Sequence, residues 1–343
     1  MKRFVWILLV LFVIGMNGCT KKSEGRNNEL VVCSPHPVEF IKPLIENFEN
    51  STGISVRIIQ GGTGEILERI AASGDSPYCD VLWGGSYSNV LPALNLFVDY
   101  HSSNEEFIQE EYKNREGPLT RFSDIPSVLM LNRKLLGDCV VEGYADLLKP
   151  ELKGKIAFSD PEKSSSATEH LINMLYAMGG GDTSSGWEYV RQFSANLHGR
   201  LLSSSAQVYK GVSEGKFAVG LTFEEGGANY AVSDDTIELI YMKEGVVFTP
   251  DGVYIVKNTK QLEDAQKFVD YLTGKSVQVY MSEILNRRSV RVDVSSKGKM
   301  LPKTSMKIIP LDYSYIAVEK KRWVEEFNTI FITGVLSPLS VGQ

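Results

Sequence analysis

Between Leu30 and Ser86 the chain alternates three short apolar runs with polar, glycine-rich loops and two amphipathic runs, an order that few folds accept. Leu30-Val31-Val32 reads as a strand that stops at Cys33-Ser34-Pro35-His36-Pro37, and an amphipathic helix from Val38 to Phe48 follows. Ser51-Thr52-Gly53 ends that helix, and Ile54 to Ile59 alternates as a second strand. Gly61-Gly62-Thr63-Gly64-Glu65 then opens a helix over Ile66 to Ala72. The third strand, Asp80-Val81-Leu82-Trp83, runs into Gly84-Gly85-Ser86. Three polar loops thus leave the carboxyl ends of three neighbouring strands, which is where open α/β sheets bind ligands.

The remaining chain repeats the theme. A helix over Asn89 to Tyr100 and a solvated polar stretch over His101 to Lys113 precede Arg121 to Asn132, an extended apolar run entered through Pro126. A second α/β region follows: a strand at Lys155 to Phe158, a helix bearing Leu171, Leu175 and Met178, and helices at Trp187 to Leu197 and Ala206 to Glu214. The strand Phe217 to Phe223 ends in a loop, Glu224-Glu225-Gly226-Gly227, before a strand at Ile237 to Met242. Val246 to Val256 is a second long extended run, broken by Pro250 and Gly252, and helices at Gln261 to Leu272, Ser276 to Leu285 and Ser314 to Ile332 close the chain. Alternating strands and helices predict largely parallel sheets covered on both faces. Two α/β regions joined by two extended crossings predict a hinged, two-lobed body: residues 29–125 with 248–286 as one lobe, 126–247 with 287–343 as the other.

Length permits two lobes with separate cores, since 343 residues exceed what one core usually organises. The formal charge is −6, and removing Lys2 and Arg3 with the first 18 residues leaves −8. With no basic stripe to pair with phosphates, nucleic acid is not an expected partner. Lys2-Arg3, the apolar run Phe4 to Ile14 and the boundary Gly15-Met16-Asn17-Gly18-Cys19 read as a lipoprotein signal peptide over residues 1–18. Cys19 would then be the acylated residue and 19–28 a polar tether outside the membrane. An uncleaved short anchor is the alternative, because Met16 and Asn17 stand where Leu and Ala are usual. Cys33, Cys79 and Cys139 remain after processing, and their spacing does not select a disulfide.

Catalytic patterns are missing from the sequence. His36, His101, His170 and His198 show no metal-ligand spacing, and no nucleophile elbow, Walker loop or dinucleotide fingerprint stands in a strand-turn-helix context. No enzyme activity, cofactor or resident metal is expected. Anion-cradling signals are present instead. Ser34, Thr63, Ser86, Ser164-Ser165-Ser166 and Ser203-Ser204-Ser205 all stand at or just before predicted helix starts, whose free amides hold phosphate or carboxylate. Each could equally act only as a helix cap. The loops at Ser34 to His36 and at Gly62, Thr63, Gly64 and Glu65 are the better candidates, because glycine admits close backbone approach. Gly85 shares that property. Glu224 and Glu225 would repel each other in a cleft unless a metal, a cation or ligand hydroxyls lay between them. Trp83 and Tyr230 could stack on a ligand or wall the core.

The motif order Val-Val-Cys-Ser-Pro-His-Pro (31–37), Gly-Gly-Thr-Gly-Glu (61–65), Cys-Asp-Val-Leu-Trp-Gly-Gly (79–85), Gly-Leu-Thr-Phe-Glu-Glu (220–225) and Pro-Asp-Gly-Val-Tyr-Ile-Val-Lys (250–257) carries a family resemblance. It is similar to the type II extracellular solute-binding proteins of bacterial ABC importers, the branch with ferric-ion, sugar-phosphate, phosphonate and thiamine binders. The resemblance implies a two-lobe periplasmic-binding-protein-like fold with a two-strand hinge, a central ligand cleft, a membrane permease and an ATPase as partners, and a monomeric, lipid-anchored receptor. In the ferric binders a His follows the first strand and a Glu sits in the second loop, roles that would fall on His36 and Glu65. Those proteins carry adjacent tyrosines where this chain has Glu224-Glu225. An anionic organic solute, sugar-phosphate-like, therefore ranks first and ferric iron second, with His36, Glu65, Glu224 and Glu225 as its ligands. An extracellular hydrolase is the contrasting class.

Overall fold

The computed structural model describes residues 29–115, 117–295 and 300–336. The expected signal peptide, tether and Cys19 lie outside those residues.

The opening stretch folds as β1 (Glu29–Ser34), α1 (Val38–Thr52), β2 (Ser55–Gln60), α2 (Thr63–Ala72) and β3 (Val81–Ser86). Both β2 and β3 pair parallel with β1. The helix foreseen after Ser86 is only the single turn α3 (Tyr87–Val90), continued by 3-10 turns to Leu96 and a short β4 (Phe97–Val98). Then come β5 (Thr120–Asn132), α4 (Arg133–Leu136), β6 (Ile156–Ala157), α5 (Ser165–Met178), α6 (Trp187–Asn196), α7 (Ser205–Ser213) and β7 (Val219–Phe223). The chain finishes with α8 (Glu224–Ala231), β8 (Ile237–Ile240), β9 (Phe248–Val256), α9 (Leu262–Thr273), α10 (Lys275–Glu283), β10 (Arg288–Ser289) and α11 (Tyr313–Leu336).

The main strand order is β2-β1-β3-β9-β5-β7-β6. It is mixed rather than largely parallel, because β9 runs antiparallel to both β3 and β5. Strand β5 belongs to both lobes. Its residues up to Pro126 pair with β9, and from Ser127 onward it pairs with β7 and, over Leu129 to Asn132, also with β8. Proline has no N–H to give a ladder, so Pro126 stands where the strand changes partner. The second crossing is adjacent: Ser127 N–H donates to Val247 O at 3.2 Å, just before β9 begins. Helices cover both faces, as the alternating pattern predicts. Phe40, Phe48, Trp83, Phe122 and Phe268 fill one core of the first lobe, and Phe158, Phe193, Trp323 and Phe327 fill the larger core of the second.

One segment sits elsewhere than expected. Arg288 and Ser289 pair antiparallel with Asp124 and Ser123 of β5, and Ser289 Oγ donates to Gln278 Oε1 at 2.7 Å. The backbone of this segment is therefore paired with the first-lobe part of β5, while the Arg287 and Arg288 side chains reach Glu225 and Glu224 of α8, and further on Ile308 bridges to Val246. Among the described residues Cys33, Cys79 and Cys139 form no disulfide, and the first two are buried, Cys33 within β1.

His170 of α5 ties the second lobe together from inside. Its Nε2 lies 2.8 Å from Thr222 O on β7, and its Nδ1 lies 2.8 Å from the Tyr144 hydroxyl. A carbonyl only accepts, so Nε2 carries the hydrogen and Tyr144 donates to Nδ1, leaving the ring neutral. Burial lowers the imidazole pKa from 6.5 to about 4. The unfolded chain thus takes up a proton more readily than the folded one, and stability is fully present above pH 6.5 and is lost as pH falls towards 4. Urea unfolding should show up to about 3 kcal/mol lost over that window, with the slope flattened in His170→Asn.

Candidate functional site

Between the lobes lies a cavity of about 1040 Å³, walled by the carboxyl-end loops of β1, β2 and β3, by the starts of α5, α7 and α8, and by the crossing strands. Helices α1, α2, α5, α7 and α8 all begin on its lining, at Pro37, Gly62, Ser164, Ser204 and Phe223. Five helix starts therefore border one space, where first-turn amides lack intrahelical partners, apart from Gln207 N–H at α7, which Ser204 caps. Each start carries the positive end of a helix dipole.

Local sequence explains how these starts reach the cleft. Gly84 and Gly85 hold φ of 110° and 95°, which side chains rarely adopt. A Cβ on Gly84 would lie 2.7 Å from His36 Nε2, and one on Gly85 would lie 2.7 Å from Thr63 Cγ2. The β3 loop thus closes against the β1 loop and the α2 start only because both positions are glycine. Ser34 Oγ donates to Trp83 O at 2.6 Å and accepts from His36 N–H at 3.2 Å, so its hydroxyl splices β1 to β3. On the opposite wall Ser204 caps α7, accepting from Gln207 N–H at 3.4 Å, whereas Ser164 makes no side-chain cap bond. Ser166 Oγ is enclosed with no partner among the described residues, in the first turn of α5.

The cleft floor is charged and buried. Arg287, with 3 % of its side chain exposed, gives Nε and Nη2 to Glu225 of α8 and Nη1 to Asp251 of β9 at 3.2 Å. Its guanidinium lies 4.6 Å from the Phe40 ring centre. His36 Nε2 sits 3.1 Å from Asp251 Oδ2, but off the line of a hydrogen bond. Glu169 of α5 also lines the cavity, accepting from Thr249 Oγ1 at 3.0 Å and from Ser88 Oγ at 3.3 Å. Burial pushes its carboxyl pKa up, with the Lys320 ammonium opposing.

Of the residues singled out in the sequence, Ser34, His36, Gly62, Thr63, Gly85, Ser86, Ser164, Ser165, Ser166, Ser204, Ser205, Glu225 and Tyr230 line this cavity together. Four do not. Trp83 is fully buried, packed edge-on against Phe122 and Phe268 in the first-lobe core, so it walls the core and faces no ligand. Gly64 and Glu65 lie on the outer side of the first turn of α2, where Glu65 pairs with Arg69 at 2.8 Å in solvent. Glu224 points away from the cleft to Arg288, which donates to its two oxygens at 2.7 and 2.6 Å, and to the Tyr241 hydroxyl. Burial pushes its pKa up, opposed by the Arg288 guanidinium and the Tyr241 hydroxyl, which favour the carboxylate.

The run from Glu224 to Gly227 is the first turn of α8 rather than a loop, and two acidic residues there are favoured by the helix dipole. The proposed iron set of His36, Glu65, Glu224 and Glu225 is thereby dispersed. Among the described residues no group of three or more His, Cys, Asp or Glu side chains is placed to hold a metal ion. Asp251, Arg287, Arg288 and Glu169 escaped the sequence reading. Adjacent arginines after α10 and an aspartate inside an apolar strand were the available signals.

A two-lobed α/β body with a polar interlobe cleft defines a solute-binding protein of the type II class. The family model described as bacterial extracellular solute-binding protein matches residues 92–316, and the chain belongs to that family. It is 26% identical over 258 residues, 72% of this chain and 73% of the relative, to the putative 2-aminoethylphosphonate-binding periplasmic protein of Salmonella typhimurium. It is 23% identical over 296 residues, 82% of this chain and 84% of the relative, to the Fe(3+)-binding periplasmic protein of Serratia marcescens. Among solved structures, the periplasmic binding protein AfuA from Actinobacillus pleuropneumoniae, with fructose-6-phosphate bound, superposes with a TM-score of 0.79 at 20% identity, covering 88% of this chain and 98% of that one. That likeness concerns the fold.

Neutralising Glu224 leaves a buried arginine without its carboxylate. Chemical denaturation of Glu224→Gln should show a loss of about 3–5 kcal/mol, whereas Glu65→Gln, at an exposed pair, should unfold like the parent protein.

Proposed function

We propose that this protein is the substrate receptor of a bacterial ABC importer, held outside the cytoplasmic membrane by lipid on Cys19. It captures a phosphorylated or otherwise anionic small solute in the interlobe cleft and delivers it to a membrane permease and its ATPase. The observation that carries this reading is the convergence of five helix starts on one cavity. An oxyanion there finds amide donors without competing for a fixed side-chain cation. The relatives' names fit an anion of this kind, whether phosphonate or sugar phosphate. The cavity is also polar in a directional sense. Amides line its walls, while Glu169, Glu225 and Asp251 stand at its floor, so a solute with an anionic end and a hydrogen-bond-donating end would be oriented within it.

Ferric iron, the cargo named for other relatives, is the second reading. The floor disfavours it. Glu225 and Asp251 are already engaged by Arg287, whose fixed positive charge would repel the ion. Titration calorimetry against a panel of hexose phosphates and alkylphosphonates should give saturable heat with at least one member. Ser166→Ala should weaken that binding by about 1.5–3 kcal/mol, one hydrogen bond to a charged group. No heat from any of them, together with stoichiometric colour on adding ferric salt, would reverse the ranking.

A further inference from the structure

Four charged groups meet the cavity below its rim, and three of them are already matched. Arg287 takes Glu225 on one side and Asp251 on the other. Glu169 is different. It is 8 % exposed, and among the described residues no cationic nitrogen lies within ion-pair distance of it. The ammonium that comes nearest, Lys320 on α11, is turned to Asn89 Oδ1. Each Glu169 oxygen accepts one neutral hydroxyl, from Ser88 on one and Thr249 on the other, with the Ser86 and Tyr313 hydroxyls nearby. A carboxylate offers about four acceptor positions, so roughly half its capacity is unused, and burying such a group without a matching charge is costly.

The position adds to the case. Glu169 rises from the first turns of α5, the same helix whose start presents Ser164, Ser165 and Ser166 to the cavity. One helix therefore supplies both an anion seat and, about a turn further on, an acceptor directed at the same space. Ser88 belongs to the first lobe and Thr249 to the crossing strand, so the carboxyl is held in place from three sides.

We infer that Glu169 is a specificity-determining residue, accepting a hydrogen bond from the ammonium or hydroxyl end of the solute whose anionic end sits on the helix starts. The inference rests on the anion reading above. It selects against bare anions: a solute lacking a donor leaves Glu169 buried and half satisfied, and one bearing a donor completes it.

The test uses matched pairs on the whole mature protein. Binding of aminoethylphosphonate is compared with ethylphosphonate, and of a hexose phosphate with inorganic phosphate, in the parent protein, Glu169→Gln and Glu169→Asp. The parent should prefer the donor-bearing member of one pair, and which pair it is distinguishes ammonium from hydroxyl. Glu169→Gln should reduce that preference by roughly ten- to hundred-fold, the loss of a hydrogen bond to a charged acceptor. A preference unchanged within twofold in Glu169→Gln would overturn the assignment while leaving the anion reading intact. Absence of binding by every member in the parent would instead remove the anion reading and this inference with it. Thermal melting of both variants accompanies the titrations. Failure of both to fold would place Glu169 in the frame of the protein and not in recognition, which also overturns the assignment.

Discussion

Two extended segments must carry the chain between lobes without leaving a backbone amide stranded in a buried strand, and the rest of the structure follows from how that is done. Strand β5 hands its ladder from β9 to β7 at Pro126, the one residue with no amide hydrogen to lose. Beside it Val247 accepts from Ser127, so the two crossings stay in register where they pass between lobes. Two strands make that handover and α11 of the second lobe also packs on α3 of the first, and the space beside this seam is the cleft.

Charge is distributed along that seam in a way that separates frame from recognition. Glu224 and Glu225 are neighbours in sequence and in the same helical turn, yet they face opposite sides. Glu224 meets Arg288 outside the cleft, and Glu225 meets Arg287 on its floor. Adjacent arginines on β10 and the residue before it thus engage adjacent carboxylates on α8. The arrangement joins the first lobe to the second through buried ion pairs, where removal of either partner is far more costly than at an exposed pair such as Glu65 and Arg69. Above this floor the walls are mainly helix-start amides and hydroxyls, with Glu39, Lys163 and Lys210 as the charged residues among them. The cleft is consequently electropositive by geometry where the helices begin and acidic where the strands cross.

Most of the architecture was legible beforehand because it is local. Apolar runs bounded by glycine, proline and serine marked β1 to β3, β5, β7 and β9, and 3.6-residue periodicity marked α1, α5 and α9. Loops at strand ends and predicted helix starts, with Tyr230 as an aromatic, supplied thirteen cavity residues. Failures came where a side chain's direction, not its position, was at issue. Trp83 ends an alternating strand and could have turned either way, and the packing of Phe122 and Phe268 turned it inward. Glu224 was one residue from the cleft and pointed elsewhere. The mixed sheet was missed for a related reason: the crossing strands read as ordinary strands, and nothing local reveals that they run antiparallel to their neighbours.

By itself the sequence determined that this chain would form a two-lobed α/β body with polar, glycine-rich loops at the strand ends, since periodicity, turn chemistry and helix starts depend on residues close along the chain. Only the tertiary structure decided which charges meet. Arg287 reaches Glu225 across 62 residues and Asp251 across 36, and Glu169 reaches Ser88 across 81 and Thr249 across 80. No periodicity connects such partners. Their pairing depends on how two separately packed cores dock across the crossing strands, and with it depends which carboxylate is spent on the frame and which still faces the cavity.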